Sequence, residues 1–222
     1  MKSRKLWYLA GVLLMLFIGW TALVSFVDVR AIGPEQSSVG LATLNQFVFD
    51  RLGVHLWWDD LTDGCSLVAI LVACAFALLG LIQLLQRKSL RKVDPNVLLL
   101  GGLYVALAAV YLLFECVVIN CRPILMDGQL EASYPSSHTM MVLCILAPAM
   151  IAARSLLATR KALRTALNAF AVLVMAVTVA GRLISGVHWL TDIVGGLLIS
   201  AALVALYGAA VQSIAEKQKK SA

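Results

Sequence analysis

The sequence predicts an all-α, polytopic membrane protein: six transmembrane helices, both termini cytoplasmic, and a short amphipathic interfacial helix before the second span. Three observations carry this. Of 222 residues, 61% are apolar and only 14% are charged, a balance foreign to soluble globular domains. The apolar residues collect in six runs, each near the roughly 20 residues needed to cross a bilayer core. The third observation is how the charges divide between the runs.

Taken in order, Met1 to Lys5 is a basic start and Leu6 to Val27 is an uncharged span. With its basic start it resembles a signal peptide, but no small-residue cleavage site clearly follows it and further spans do, so it is read as a retained helix. Asp28 to Gly64 is expected to be a loop. Within it Leu41, Leu44, Phe47, Val48 and Leu52 recur at helical spacing, with Asn45, Asp50 and Arg51 between them. This predicts an amphipathic helix, lying in the membrane surface or packed over the bundle end. Trp57-Trp58 fits an aromatic belt. The second span is expected over Cys65–Leu85, the third over Asn96–Ile119 after Pro95 in its first turn, and the fourth from Ser136 past Pro148, which is expected to kink it. The fifth is expected over Thr165–Gly181 and the sixth over Thr191–Ser213, before a Lys-rich tail. No repeat divides the chain, so residues 1–222 read as one membrane domain.

With the N-terminus inside, the inner segments hold Lys2, Arg4, Lys5, Arg87, Lys88, Arg91, Lys92, Arg154, Arg160, Lys161, Arg164, Lys217, Lys219 and Lys220. The outer segments hold only Arg30, Arg51, Arg122 and Arg182. Among the acids, only Asp94 and Glu216 are inside. The positive-inside rule is met at every loop. The net charge of +6 therefore belongs to membrane topology, and no nucleic-acid partner is expected. Five cysteines show no metal-ligand spacing; Cys65, Cys74 and Cys144 fall in apolar runs as packing residues. Spacing alone does not decide whether Cys116 and Cys121 pair.

Ionisable residues between oily runs point to a functional site. Arg182, His188 and Asp192 lie in one such stretch. His188 and Asp192 are four apart, on one face of a helix. A carboxylate beside one imidazole nitrogen fixes the tautomer and leaves the other nitrogen a lone pair; the same pair can also simply close a helix end. Arg122, directly before Pro123, stands at the same membrane depth, and a guanidinium presents a planar fork to phosphate. Tyr134-Pro135-Ser136-Ser137-His138 precedes the fourth span, where a capped helix start supplies free N–H groups for an anion. Two histidines, two arginines, a hydroxyl-rich helix start and an acid are an inventory for phosphoryl transfer through a phosphohistidine. One histidine attacks phosphorus, the donors hold the equatorial oxygens and the other histidine protonates the leaving oxygen. The scheme needs no metal and no cofactor, and no acidic cluster is spaced to hold a metal.

These blocks resemble the three motifs of the type-2 phosphatidic acid phosphatase superfamily, membrane lipid phosphate phosphatases related to vanadium haloperoxidases. The resemblance spans roughly residues 60 to 212. The family's Lys, six residues, Arg-Pro is met by Glu115, six residues, Arg122-Pro123. Its Pro-Ser-Gly-His is met by Pro135-Ser136-Ser137-His138. Its Ser-Arg, five residues, His, three residues, Asp is met by Gly181-Arg182, His188 and Asp192. The resemblance implies that His188 is the nucleophile, Asp192 its orienting partner and His138 the general acid. Arg122, Arg182 and Ser136 become phosphate ligands, joined by the Ser137 N–H. Glu115 departs from the family Lys and is expected either to form a buried salt bridge with Arg122 or Arg182 or to meet a cationic part of the substrate.

The resemblance further implies hydrolysis of a lipid phosphate or diphosphate, of the undecaprenyl diphosphate, phosphatidylglycerophosphate or phosphatidic acid type, at the outer face of the cytoplasmic membrane. A gap between helices is expected to admit the lipid tail. Asp63-Gly64-Cys65-Ser66-Leu67 weakly resembles bacterial lipid A phosphotransferases, which leaves a lipid-to-lipid phosphotransferase as an alternative. A non-catalytic lipid-binding or transport protein with a decayed site is another, supported by Glu115 alone. Oligomeric state is open.

Overall fold

Six helices cross the length of the molecule and are long and apolar enough to span a membrane. The structure, a computed structural model, describes residues 3–221; Lys2, counted above with the inner basic residues, lies outside them. In chain order the helices are α1 (Ser3–Phe26), α2 (Ala42–Leu52), α3 (Leu56–Arg87), α4 (Pro95–Cys116), α5 (Ser137–Leu156), α6 (Lys161–Ile184) and α7 (Leu190–Ser221), with a two-residue hairpin of β1 (Arg30–Ala31) and β2 (Ser38–Val39) between the first two. The six spans are α1 and α3 to α7, so the chain is a multi-pass membrane protein.

Two spans are far longer than expected. The second begins at Leu56, not Cys65, and runs for 32 residues. Its first turns carry Asp59, Asp60 and Asp63, which look like loop residues in a hydropathy profile. Acids at a helix start are favoured by the positive end of the macrodipole, so the helix extends beyond the apolar core with charged residues on it. The sixth span likewise continues past Ser213, through the Lys-rich tail, to Ser221, where basic residues suit the negative helix end. α6 is longer at both ends than expected, and α4 stops at Cys116, short of Ile119. α5 remains helical through Pro148.

α7 is central: 61% of its apolar stretch is buried within the protein, against 11% for α3. Its small residues, Gly195, Gly196, Ser200, Ala202, Ala205 and Ala209, let neighbouring helices approach, which is how helices associate where lipid removes the hydrophobic drive. α1 runs antiparallel along it: Trp20 Nε1 donates to the Thr191 carbonyl at 3.1 Å, Trp7 Nε1 to Ser213 Oγ at 3.1 Å, and Ser3 Oγ to Glu216 at 2.6 Å. The two ends of the described chain therefore lie at one end of the bundle. Large apolar residues such as Leu71, Leu85, Val105 and Leu173 cover the outer surface.

The opposite end is closed by the hairpin, by α2 and by the loops at 117–136 and 185–189. α2 forms where its periodicity predicts, but its orientation is unexpected. Leu44 and Phe47 face outward, while Asn45 is fully buried. Only part of the apolar stripe thus meets the surroundings, since Leu41 packs on the core and Val48 and Leu52 are half-buried, and polar Asn45 turns inward to bond the bundle end.

Candidate active site

The site is built on the five residues between α6 and α7. Gly186 has φ +75°, and a Cβ there would sit 2.5 Å from the Gly53 carbonyl oxygen, so only glycine lets this turn press against the α2–α3 linker. The His55 N–H donates to the Ser185 carbonyl at 3.0 Å. Trp189 Nε1 donates to the Cys121 carbonyl at 2.8 Å, and the Trp189 N–H donates to Asp192 Oδ2 at 3.0 Å. Asp192, in the first turn of α7, thus caps the helix as the acid of a capping box does. It also faces His188, whose Nδ1 is 3.5 Å from Oδ2. His188 is 3% exposed, and no hydrogen bond of good geometry reaches its Nε2. Burial, reinforced by the positive charges of Arg182 and Arg122, holds its pKa well below 6.5, so the ring is neutral.

Arg182, near the end of α6, is 1% exposed. One terminal nitrogen binds Asp59, Thr62 Oγ1 at 3.2 Å and Asp63 at 3.4 Å. The other donates to His138 Nδ1 at 2.9 Å. Arginine has no acceptor, so Nδ1 is the unprotonated nitrogen of His138. Its Nε2–H donates to Asp63 Oδ1 at 3.1 Å. Thr62 also explains the glycine before Arg182: a Cβ at Gly181 would come within 2.5 Å of Thr62 Cγ2.

Arg122 enters from a turn whose ends meet as Arg122 N–H donates to the Glu131 carbonyl at 2.9 Å. Its Nε lies 2.9 Å from Glu131 Oε2, while its buried NH1 has no hydrogen-bond partner. Ser136 caps α5, accepting from the Thr139 N–H at 3.5 Å, and its own N–H donates to the Asp192 carbonyl at 3.1 Å. The Ser137 N–H is in the first turn of α5 and has no intrahelical acceptor. From Ser137 and His138 an apolar groove of about 450 Å³ runs down between α3, α4 and α5, lined by Ala73, Tyr104, Leu107, Tyr111 and Met141 among others.

The structure thus brings His138 and Arg182 into contact, and His188 and Asp192 into a facing pair, all at one end of the bundle with Arg122, Ser136 and Ser137. Glu115 corrects the expectation of a buried salt bridge. It is exposed in the last turn of α4, beside Tyr111, and forms no ion pair with either arginine. The reason is local: the 122–131 turn returns Glu131 to Arg122, and the extended start of α3 brings Asp59 and Asp63 to Arg182. Cys116 and Cys121 are both free thiols.

Sequence reading missed a buried hub. Asn120 Nδ2 donates to Asp192 Oδ1 at 3.0 Å and to Thr191 Oγ1 at 3.1 Å, and its Oδ1 accepts from the Gly40 N–H at 3.0 Å. Asn45 Nδ2 donates to Thr191 Oγ1 at 2.9 Å. The available signals were the Asp59–Asp63 spacing of four before an apolar run and the placement of Asn120 two residues before Arg122.

Fold and site define a multi-pass membrane protein with two arginines, two imidazoles and their carboxylate partners gathered at one end of its bundle. Residues 116–214 match the family model described as PAP2 superfamily. A solved structure from Bacillus subtilis, described as the first transmembrane PAP2 type phosphatidylglycerolphosphate phosphatase, is similar in fold, with a TM-score of 0.65 at 16% identity over 95% of this chain and 97% of that one. Among curated proteins no sequence matches significantly. Segment 116–214 is thus similar to the PAP2 superfamily, in agreement with the resemblance carried by the three motifs.

Proposed function

We propose that residues 1–222 form one integral-membrane lipid phosphatase domain. It removes a phosphate or diphosphate head group at the extracytoplasmic face of the cytoplasmic membrane, through a phosphohistidine. The supporting observation is the pair of buried guanidinium nitrogens without hydrogen-bond partners, Arg122 NH1 and Arg182 Nε, at the same end of the bundle as the buried His188 ring. A buried donor without a partner costs about 1–3 kcal/mol, and more when charged; a phosphate supplies acceptors to the guanidinium nitrogens and an electrophile to the imidazole. The His188 Nε2 lone pair attacks phosphorus while Asp192 orients the ring. Arg122, Arg182, Ser136 and the Ser137 N–H hold the phosphoryl oxygens as charge develops on them. The ester P–O bond breaks, and the leaving oxygen takes a proton from His138. Water then gives a proton to His138 and its oxygen to phosphorus, breaking the N–P bond and freeing phosphate.

The groove below His138 supports a lipid substrate, because an apolar tail packed there sets the head group against the site. Undecaprenyl diphosphate, phosphatidylglycerophosphate and phosphatidic acid all have this form, and the second is the substrate in the Bacillus protein's description. Exposed Glu115, at the upper end of α4 near the groove, then bears on head-group choice. The test is inorganic phosphate release by purified protein from a panel of these lipids, with and without chelator. Chelator-resistant release from at least one lipid is expected, and His188→Ala is expected to abolish it. Release by that variant at near the parental rate refutes the nucleophile, and turnover only when an acceptor lipid is added identifies a phosphotransferase.

A further inference from the structure

Asp63 belongs to none of the three blocks and lies outside residues 116–214, yet its carboxylate touches two members of the site. It is 3.1 Å from His138 Nε2 and 3.4 Å from an Arg182 terminal nitrogen. We infer that Asp63 is the positioning residue of His138, holding Nε2–H toward α3 so that Nδ1 faces the phosphate and delivers the proton to the leaving oxygen. This rests on the phosphatase reading and adds a second His–carboxylate pair to the His188–Asp192 pair.

The hydrogen-bond pattern gives the pair a consequence. Nδ1 now accepts from Arg182, and an imidazolium has no lone pair left to accept with. Protonating Nδ1 and keeping the Arg182 contact therefore exclude each other. A phosphate that draws the guanidinium to its own oxygens frees Nδ1 to take up a proton from solvent water, and Asp63 stabilises the resulting imidazolium through Nε2–H. The acid is armed by the anion it will act on. When the P–O bond breaks, its electron pair stays on the leaving oxygen, which takes the Nδ1 proton; His138 becomes neutral with Nε2–H still on Asp63. The other groups facing His138 are Arg182 from α6, itself paired with Asp59 of α3, His188 and Arg122 from the loops, and Tyr104 and Tyr111 from α4. None of these is a second acceptor bonded to Nε2.

The experiment compares the parent, Asp63→Asn and Asp63→Glu on two probes, dioleoyl phosphatidic acid and p-nitrophenyl phosphate. The alkoxide leaving group of the lipid needs a proton, whereas nitrophenolate leaves without one. Asp63→Asn is expected to lower kcat on the lipid about 10-fold or more, to spare p-nitrophenyl phosphate, and to move the alkaline limb of the lipid pH profile about one unit toward acid. Asp63→Glu is expected to restore much of the limb. Asp63 is 59% exposed and asparagine matches its shape, so folding is not at stake. Equal loss on both probes with an unmoved limb, or no loss on either, overturns the assignment. Failure of the phosphatase reading is separate and shows as no phosphate release by the parent.

Discussion

Arg182 shows how closely the candidate site is set at the level of single side chains. It is almost wholly buried, and its two terminal nitrogens serve α3 on one side and His138 on the other. Lysine would keep the charge but not the fork. Arg182→Lys is expected to lower kcat/KM about 100-fold, measured as phosphate release from the best lipid of the panel. His188 makes a prediction about pH. Its pKa is pushed below 6.5 in the fold, while the unfolded chain keeps the ordinary value. Below pH 6.5 the unfolded state takes up a proton that the folded state refuses, so this residue's contribution to stability is intact above 6.5 and lost as pH falls below it. The thermal midpoint in detergent is expected to drop between pH 7 and 5.5, and to drop less in His188→Gln. For the same reason His188, the proposed nucleophile, stays neutral in mildly acidic buffer.

At the scale of elements, the decisive feature is the packing of α3 on α6. Gly181 stands at the serine position of the third motif that the sequence resembles, and the structure supplies a steric reason for glycine. Thr62 Cγ2 fills the place of a side chain, with Trp58 beside it. Gly181→Ser alone is expected to push α3 off Arg182 and reduce activity. Adding Thr62→Ser removes the methyl, keeps the hydroxyl that bonds Arg182, and is expected to recover much of the loss. A non-additive double-mutant cycle in kcat/KM checks this. The start of α3 is also where the sequence was hardest to read. Hydropathy marks where a segment enters lipid, not where a helix begins, so Asp59 and Asp63 read as loop. Asn120 was illegible for another reason: a buried amide acquires meaning only from partners distant in sequence, here Gly40, Thr191 and Asp192. Arg182, His188, Asp192 and His138 were legible because ionisable groups at the ends of oily runs stand out locally. Glu115 was equally visible, but its partner depended on the path of the 117–131 loop, which no local pattern encodes.

For the whole molecule, the six spans were plain from composition and charge sidedness, and the hydrogen bonds between α1 and α7 bring both ends of the described chain to one end of the bundle. The proposed orientation is checked by labelling. In intact cells a membrane-impermeant maleimide is expected to reach exposed Cys116, while a C-terminal tag stays protected from external protease. The groove between α3, α4 and α5 has a kinetic corollary. A substrate that arrives along it travels within a leaflet, so two-dimensional diffusion supplies the catalyst, and the quantity that saturates it is mole fraction, not molarity. Padding vesicles with inert phospholipid while bulk substrate is fixed should therefore slow turnover, as surface dilution does.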